Sequence, residues 1–88
     1  MSVPKSEREE NIEHVHTTLF SIRDQFSKID SRIRIVKMSG LLYVENAERY
    51  NVYPQVTRLL REIEKLNTFL EKHSDEDLLE LVYERYEA

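Results

Sequence analysis

Three histidines, two of them a single residue apart, are the first groups in this chain that could do chemistry. Imidazole titrates near neutrality and ligates metals, so His14, His16 and His73 raise the questions of proton transfer and metal binding. Glu10 and His14 stand four apart and Glu13 and His16 three apart, which makes each pair neighbours on a helix. A metal site needs three or four converging ligands, and each of these clusters offers two. His73 falls where a cation suits the end of a helix. The carboxylates are plentiful but undirected: Asp75, Glu76, Asp77, Glu80, Glu84 and Glu87 form a surface tract. General acid–base work needs a carboxyl held in a cleft with a shifted pKa, and a chain of 88 residues has little room for one. There is no cysteine, hence no thiolate ligand, thiol nucleophile or disulfide. A single glycine excludes a glycine-rich phosphate loop. The chain therefore reads as non-enzymatic, with no cofactor, metal or small-molecule substrate expected.

Over six residues, His14-Val15-His16-Thr17-Thr18-Leu19 resembles the phospho-acceptor box of sensor-kinase dimerisation domains. The Thr and Leu fall one position early and the usual Pro is missing, so the resemblance implies no phosphotransfer role. Charge is the stronger signal. Residues 23–37 carry Arg23, Lys28, Arg32, Arg34 and Lys37 against Asp24 and Asp30, net +3, whereas residues 74–88 carry net −5 in a chain of net −4. A basic belt can grip phosphate in a salt-dependent way. It can equally pair with an acidic helix, and the chain brings its own.

Helices must position these groups. Residues 1–5 lack periodicity and are expected to form a frayed arm. Ser6 with Glu9 makes a capping box, and Glu7, Glu9 and Glu10 put negative charge in the first turn, where the helix dipole favours it. Apolar residues then recur at Ile12, Val15, Leu19, Ile22, Phe26, Ile29, Ile33 and Val36, an alternation of three- and four-residue steps. That is a heptad seam and a candidate interface. Its register continues through Gly40, Tyr43, Ala47 and Tyr50. It predicts one helix over about 7–50, roughly 65 Å long, kinked at Gly40. A rival reading takes 32–45 as a β-hairpin: SRIRIVKM alternates, Ser39-Gly40 can turn and LLYV can return. The unbroken register and the marginal stability of a lone hairpin favour the helix.

Pro54 suits the first turn of a new helix, predicted over 54–73, in which Val56, Leu59, Ile63, Leu66 and Leu70 repeat the seam spacing. Ser74 is placed as the cap of a third helix over 75–87. Its residues Leu78, Leu81, Val82, Tyr83 and Tyr86 are candidate partner contacts. The expected fold is thus a single all-α domain over 1–88: a long helix, an antiparallel return and a short acidic third helix, packed in coiled-coil fashion. The first helix overhangs the rest by about 15 Å. Bare apolar overhang favours association. The expected partner is a second copy, as a homodimer, or another helical protein. The expected function is a small helical protein–protein interaction module: adaptor, assembly subunit or regulator. The alternative is a nucleic-acid-associated regulator using the basic belt, though net negative charge disfavours nucleic acid. Apolar runs are too short for a membrane span or a signal peptide, so a cytoplasmic location is expected.

Overall fold

Ser6 opens the first helix, α1 (Glu7–Ile29), its hydroxyl oxygen accepting a hydrogen bond from the Glu9 amide at 3.2 Å. The computed structural model describes residues 6–86, so the arm expected at 1–5 and the last residue of the expected third helix, Glu87, lie outside the described residues. Two short strands follow, β1 (Ile35–Met38) and β2 (Leu41–Val44), then a single turn, α2 (Ala47–Tyr50). Next come α3 (Pro54–Lys72) and α4 (Leu78–Tyr86). Among the described residues the chain is mostly helical with a small two-stranded sheet.

The long helix over 7–50 does not form. α1 stops at Ile29 because Asp30 offers the backbone a better local arrangement. Asp30 is extended (φ −158°, ψ 118°) and donates its own N–H to the Phe26 carbonyl. Its carboxylate accepts from the Arg32 backbone N–H at 2.9 Å and from the Arg32 guanidinium at 2.8 and 3.0 Å. Asp side chains compete with helical hydrogen bonding in this way. The Arg32 guanidinium holds the Asp30 carboxyl down at about 2.

Beyond this stop the rival hairpin is the structure. Ile35 pairs with Val44, Val36 with Tyr43, Lys37 with Leu42 and Met38 with Leu41, antiparallel. Ser39 and Gly40 both have positive φ, 55° and 76°, as a type I′ hairpin turn requires. Gly40 is therefore the turn of a hairpin and not the kink of a helix. Glu45 N–H donates to the Arg34 carbonyl at 2.9 Å, extending the ladder by one pair. What makes so short a hairpin stable is α3. The Leu42 side chain is 1% exposed. Its backbone N–H donates to Asn67 Oδ1 at 2.9 Å, and its carbonyl accepts from Asn67 Nδ2 at 3.0 Å. The carboxamide of Asn67 thus takes the place of a neighbouring strand.

α3 begins at Pro54, where the sequence places it, and ends at Lys72 with His73 as its cap. His14 meets Phe69 near one end of the α1–α3 contact, and Ile22 and Leu59 share a surface hollow near the other. That is the order of helices running in opposite directions. α4 starts three residues later than expected. Its first turn is capped by Asp77, whose carboxylate accepts from the Glu80 amide at 3.1 Å, and Ser74 lies in the preceding turn. α4 packs on α1, and β2 packs on α3. The core takes Ile12, Val15, Leu19, Ile22 and Phe26 from α1, and Val56, Leu59, Ile63, Leu66 and Leu70 from α3. Leu78, Leu79 and Val82 from α4, with Ile33, Leu42 and Tyr50, complete it.

Candidate interaction surface

The structure uses the seam internally. Ile12, Val15, Leu19, Ile22, Phe26 and Ile33 are buried in the chain's own core, with Ile29 half-buried against it. Val36 alone leaves the group, half-buried on the hairpin. The overhang that argued for association is also gone, because α1 of 23 residues faces α3 of 19. Of the candidate contacts on α4, Leu78 and Val82 are buried, Leu81 and Tyr83 half-buried and packed on the core, and Tyr86 exposed.

The histidines act as packing groups, His14 and His16 between elements and His73 at the end of α3. His14 lies edge-on to Phe69 with ring centroids 4.6 Å apart, and Phe69 meets His73 at the same separation. His16 stacks on Tyr86 at 3.7 Å, joining α1 to α4. Among the described residues no three His, Cys, Asp or Glu side chains converge as a metal site would need.

The basic belt is largely spoken for. Lys28 pairs with Asp24 at 3.2 Å one helical turn away, Arg32 pairs with Asp30, and Lys37 with Glu80 of the acidic helix. The bond from Glu80 raises the Lys37 pKa above its ordinary value. Arg23 donates to the Tyr83 hydroxyl at 3.3 Å, and both Arg23 and Lys37 lie over the Tyr83 ring, 5.7 and 5.0 Å from its centroid. The belt therefore meets α4 within one chain through Lys37, Arg23 and Tyr83. Arg34 stands apart: its side chain makes no hydrogen bond or ion pair among the described residues.

The surface that sequence reasoning missed is the outward face of the hairpin. Alternate residues of a strand share a face, and so do residues directly opposite one another. Ile35, Lys37, Leu42 and Val44 point inward. Val36, Met38 and Tyr43 point outward, all apolar or aromatic, while Leu41, on the same face beside the turn, is half-buried against the core. Met38 is 57% exposed and Tyr43 41% exposed. Only past these does the face become charged, at the cross-strand neighbours Arg34 and Glu45. A small antiparallel sheet resting on a core ordinarily shows polar residues to water. The signal was available in the alternation of SRIRIVKM and LLYV, but only to a reading that took 32–45 as strands.

A groove of about 460 Å³ runs between β1 and the end of α1, lined in part by Phe26, Ile33, Ile35 and Val36 with Arg23 and Arg34. No helix among the described residues is long and apolar enough to cross a membrane. Comparison with protein-family models, curated proteins and solved structures finds no match to this chain.

Proposed function

We propose that this chain is a non-enzymatic protein–protein interaction module, an adaptor, assembly subunit or small regulator, whose contact surface is the outward face of the β1–β2 hairpin. The observation that carries this reading is the apolar set Val36, Met38 and Tyr43 on the side of the sheet that the chain's own core does not cover. Contiguous exposed apolar patches rimmed by charge mark contact sites on soluble proteins. Tyr and Met are among the residues enriched at such sites. The heptad positions serve the function from inside. They close the core and hold α1 and α3 as a rigid base for the hairpin, rather than meeting a partner directly. Rigid elements present a contact surface more accurately than loops do.

Site-specific photo-crosslinking tests this. A photoreactive phenylalanine analogue replaces Tyr43, or replaces exposed Arg61 on α3 as control, in the cells that make the protein. A discrete protein adduct is expected from position 43 and none from position 61. No adduct, or equal labelling from both, overturns the reading.

A further inference from the structure

The two edges of the hairpin are treated differently. In this register Met38 and Leu41, Val36 and Tyr43, and Arg34 and Glu45 exchange the ladder hydrogen bonds, as the Glu45 N–H to Arg34 carbonyl bond shows. The backbone groups of Leu42 therefore point away from β1, and Asn67 satisfies both. By the same alternation the N–H and C=O of Ile35 and Lys37 point away from β2, and they have no hydrogen-bond partner among the described residues. Open edges of this kind template the addition of another strand, and proteins ordinarily blunt them. Here β2 is sealed by a side chain and β1 is left open.

The open edge borders the groove floored by Phe26, Ile33 and Ile35 and flanked by Arg34. We infer that β1 takes up an extended acidic segment of a partner protein as a third strand. Outward-pointing amides and carbonyls at Ile35 and Lys37 supply main-chain pairing, and the groove receives alternate side chains, the division of labour of strand addition. Charge complementarity selects the occupant. The charged side chains that line the groove are Arg23, Arg34 and Glu45, net +1. Arg34, with no partner of its own, stands beside the edge where an acidic side chain of the incoming strand would lie. This inference rests on the interaction-module reading and names its partner's chemistry.

The test uses a synthetic peptide of alternating Glu and Val residues, and the same peptide with Lys for Glu, titrated into the isotope-labelled protein. The acidic peptide is expected to shift the amide resonances of Ile35 and Lys37 and slow their hydrogen exchange; the basic peptide is not. Lys37→Pro removes one outward amide without removing a ladder bond, and is expected to weaken binding at least tenfold. Lys37→Gln discards the Glu80 ion pair but keeps the amide, and is expected to bind within about twofold of the parent; proline is tolerated on an outer edge for the same reason. Arg34→Glu is expected to weaken binding at least tenfold. Folding of each variant is checked by spectral dispersion. Equal binding by the Pro and Gln variants, shifts mapping away from β1, or equal response to the two peptides overturns the inference. So does concentration-dependent protection of Ile35 and Lys37 without peptide, which assigns the edge to a second copy. Displacement of the peptide by a DNA or RNA oligonucleotide with its own shifts at Arg34 overturns it too. If position 43 still crosslinks a protein while the peptide fails, this inference falls and the module reading stands.

Discussion

Two polar side chains decide where this chain stops being a helix and where it becomes a sheet. Asp30 ends α1 by accepting from both the backbone and the guanidinium of Arg32. Those bonds favour the ionised carboxylate, which is why its pKa lies near 2 instead of 3.8. A folded-state pKa below the unfolded one gives a contribution that is fully present above the unfolded value. It is lost as pH falls through the folded value. The Asp30 side chain is therefore expected to titrate by NMR with a midpoint near 2, and Arg32→Gln should return the midpoint toward 3.8. A midpoint unchanged by that substitution would assign the shift to something other than Arg32. Asn67 is the second decisive side chain. Asn67→Ala leaves a partly buried N–H and C=O of Leu42 unpaired, a loss of about 1–3 kcal/mol. Asn67→Asp keeps the acceptor for the N–H but sets an oxygen against the Leu42 carbonyl, so it should not rescue. Denaturant melts give the magnitude, and Leu42 amide exchange locates it; unaltered exchange at Leu42 would show that Asn67 does not hold the strand.

At the scale of elements, spacing proved a better guide to burial than to conformation. Where an apolar stripe coincided with helix start signals, as at Ser6 and Pro54, the sequence located α1 and α3 within a residue of their starts. The three–four rhythm then ran on through Ile33, Val36, Tyr43 and Tyr50, although these lie in a loop, two strands and a one-turn helix. Ile33 and Tyr50 do reach the core; Tyr43 faces water. The local chemistry favoured strands all along, with β-branched Ile33, Ile35 and Val36 ahead of Ser39-Gly40. What no local pattern carried was the support that a short hairpin needs. It comes from Asn67, twenty-five residues beyond its partner. The outward apolar face was hidden for the same reason, since it exists only once residues 35–44 are strands. The turn offers a direct check. Ser39 holds a φ of 55°, an arrangement Asn tolerates better, so Ser39→Asn should stabilise by about 0.5 kcal/mol and raise Tm by about 2–4 °C. A Cβ on Gly40 meets nothing within 4 Å, so Gly40→Ala should cost only the left-handed backbone term, about 1–2 kcal/mol. Opposite signs for these two changes in thermal melts are the expected result; a destabilising Ser39→Asn would speak against the type I′ turn.

For the whole molecule, the decisive element is α4. Sequence reasoning offered this short acidic helix as a source of candidate partner contacts. Its placement gives it a second duty. Leu78, Leu79 and Val82 are 2, 0 and 1% exposed, and they cover the side of α1 that α3 does not reach. Its acidic flank meets Lys37 through Glu80, and Arg85 lies 3.9 Å from Glu9, but both ion pairs are exposed and contribute little to stability. The apolar term decides. Three fully buried aliphatic side chains are worth together about 5–9 kcal/mol. The entire stability of a small domain is only about 5–15 kcal/mol. A chain ending at Ser74 is therefore expected to lose cooperative folding altogether, seen as a broad, sloping melt by circular dichroism and a collapsed amide spectrum. Leu79→Ala is the graded version and should cost about 2–5 kcal/mol, while Glu84→Ala on the exposed face should stay within about 0.5 kcal/mol of the parent. If the shortened chain instead melts cooperatively near the parent temperature, the core closes without α4. The buried face of that helix would then be free for a partner, and the contact surface would have to be sought there and not on the hairpin.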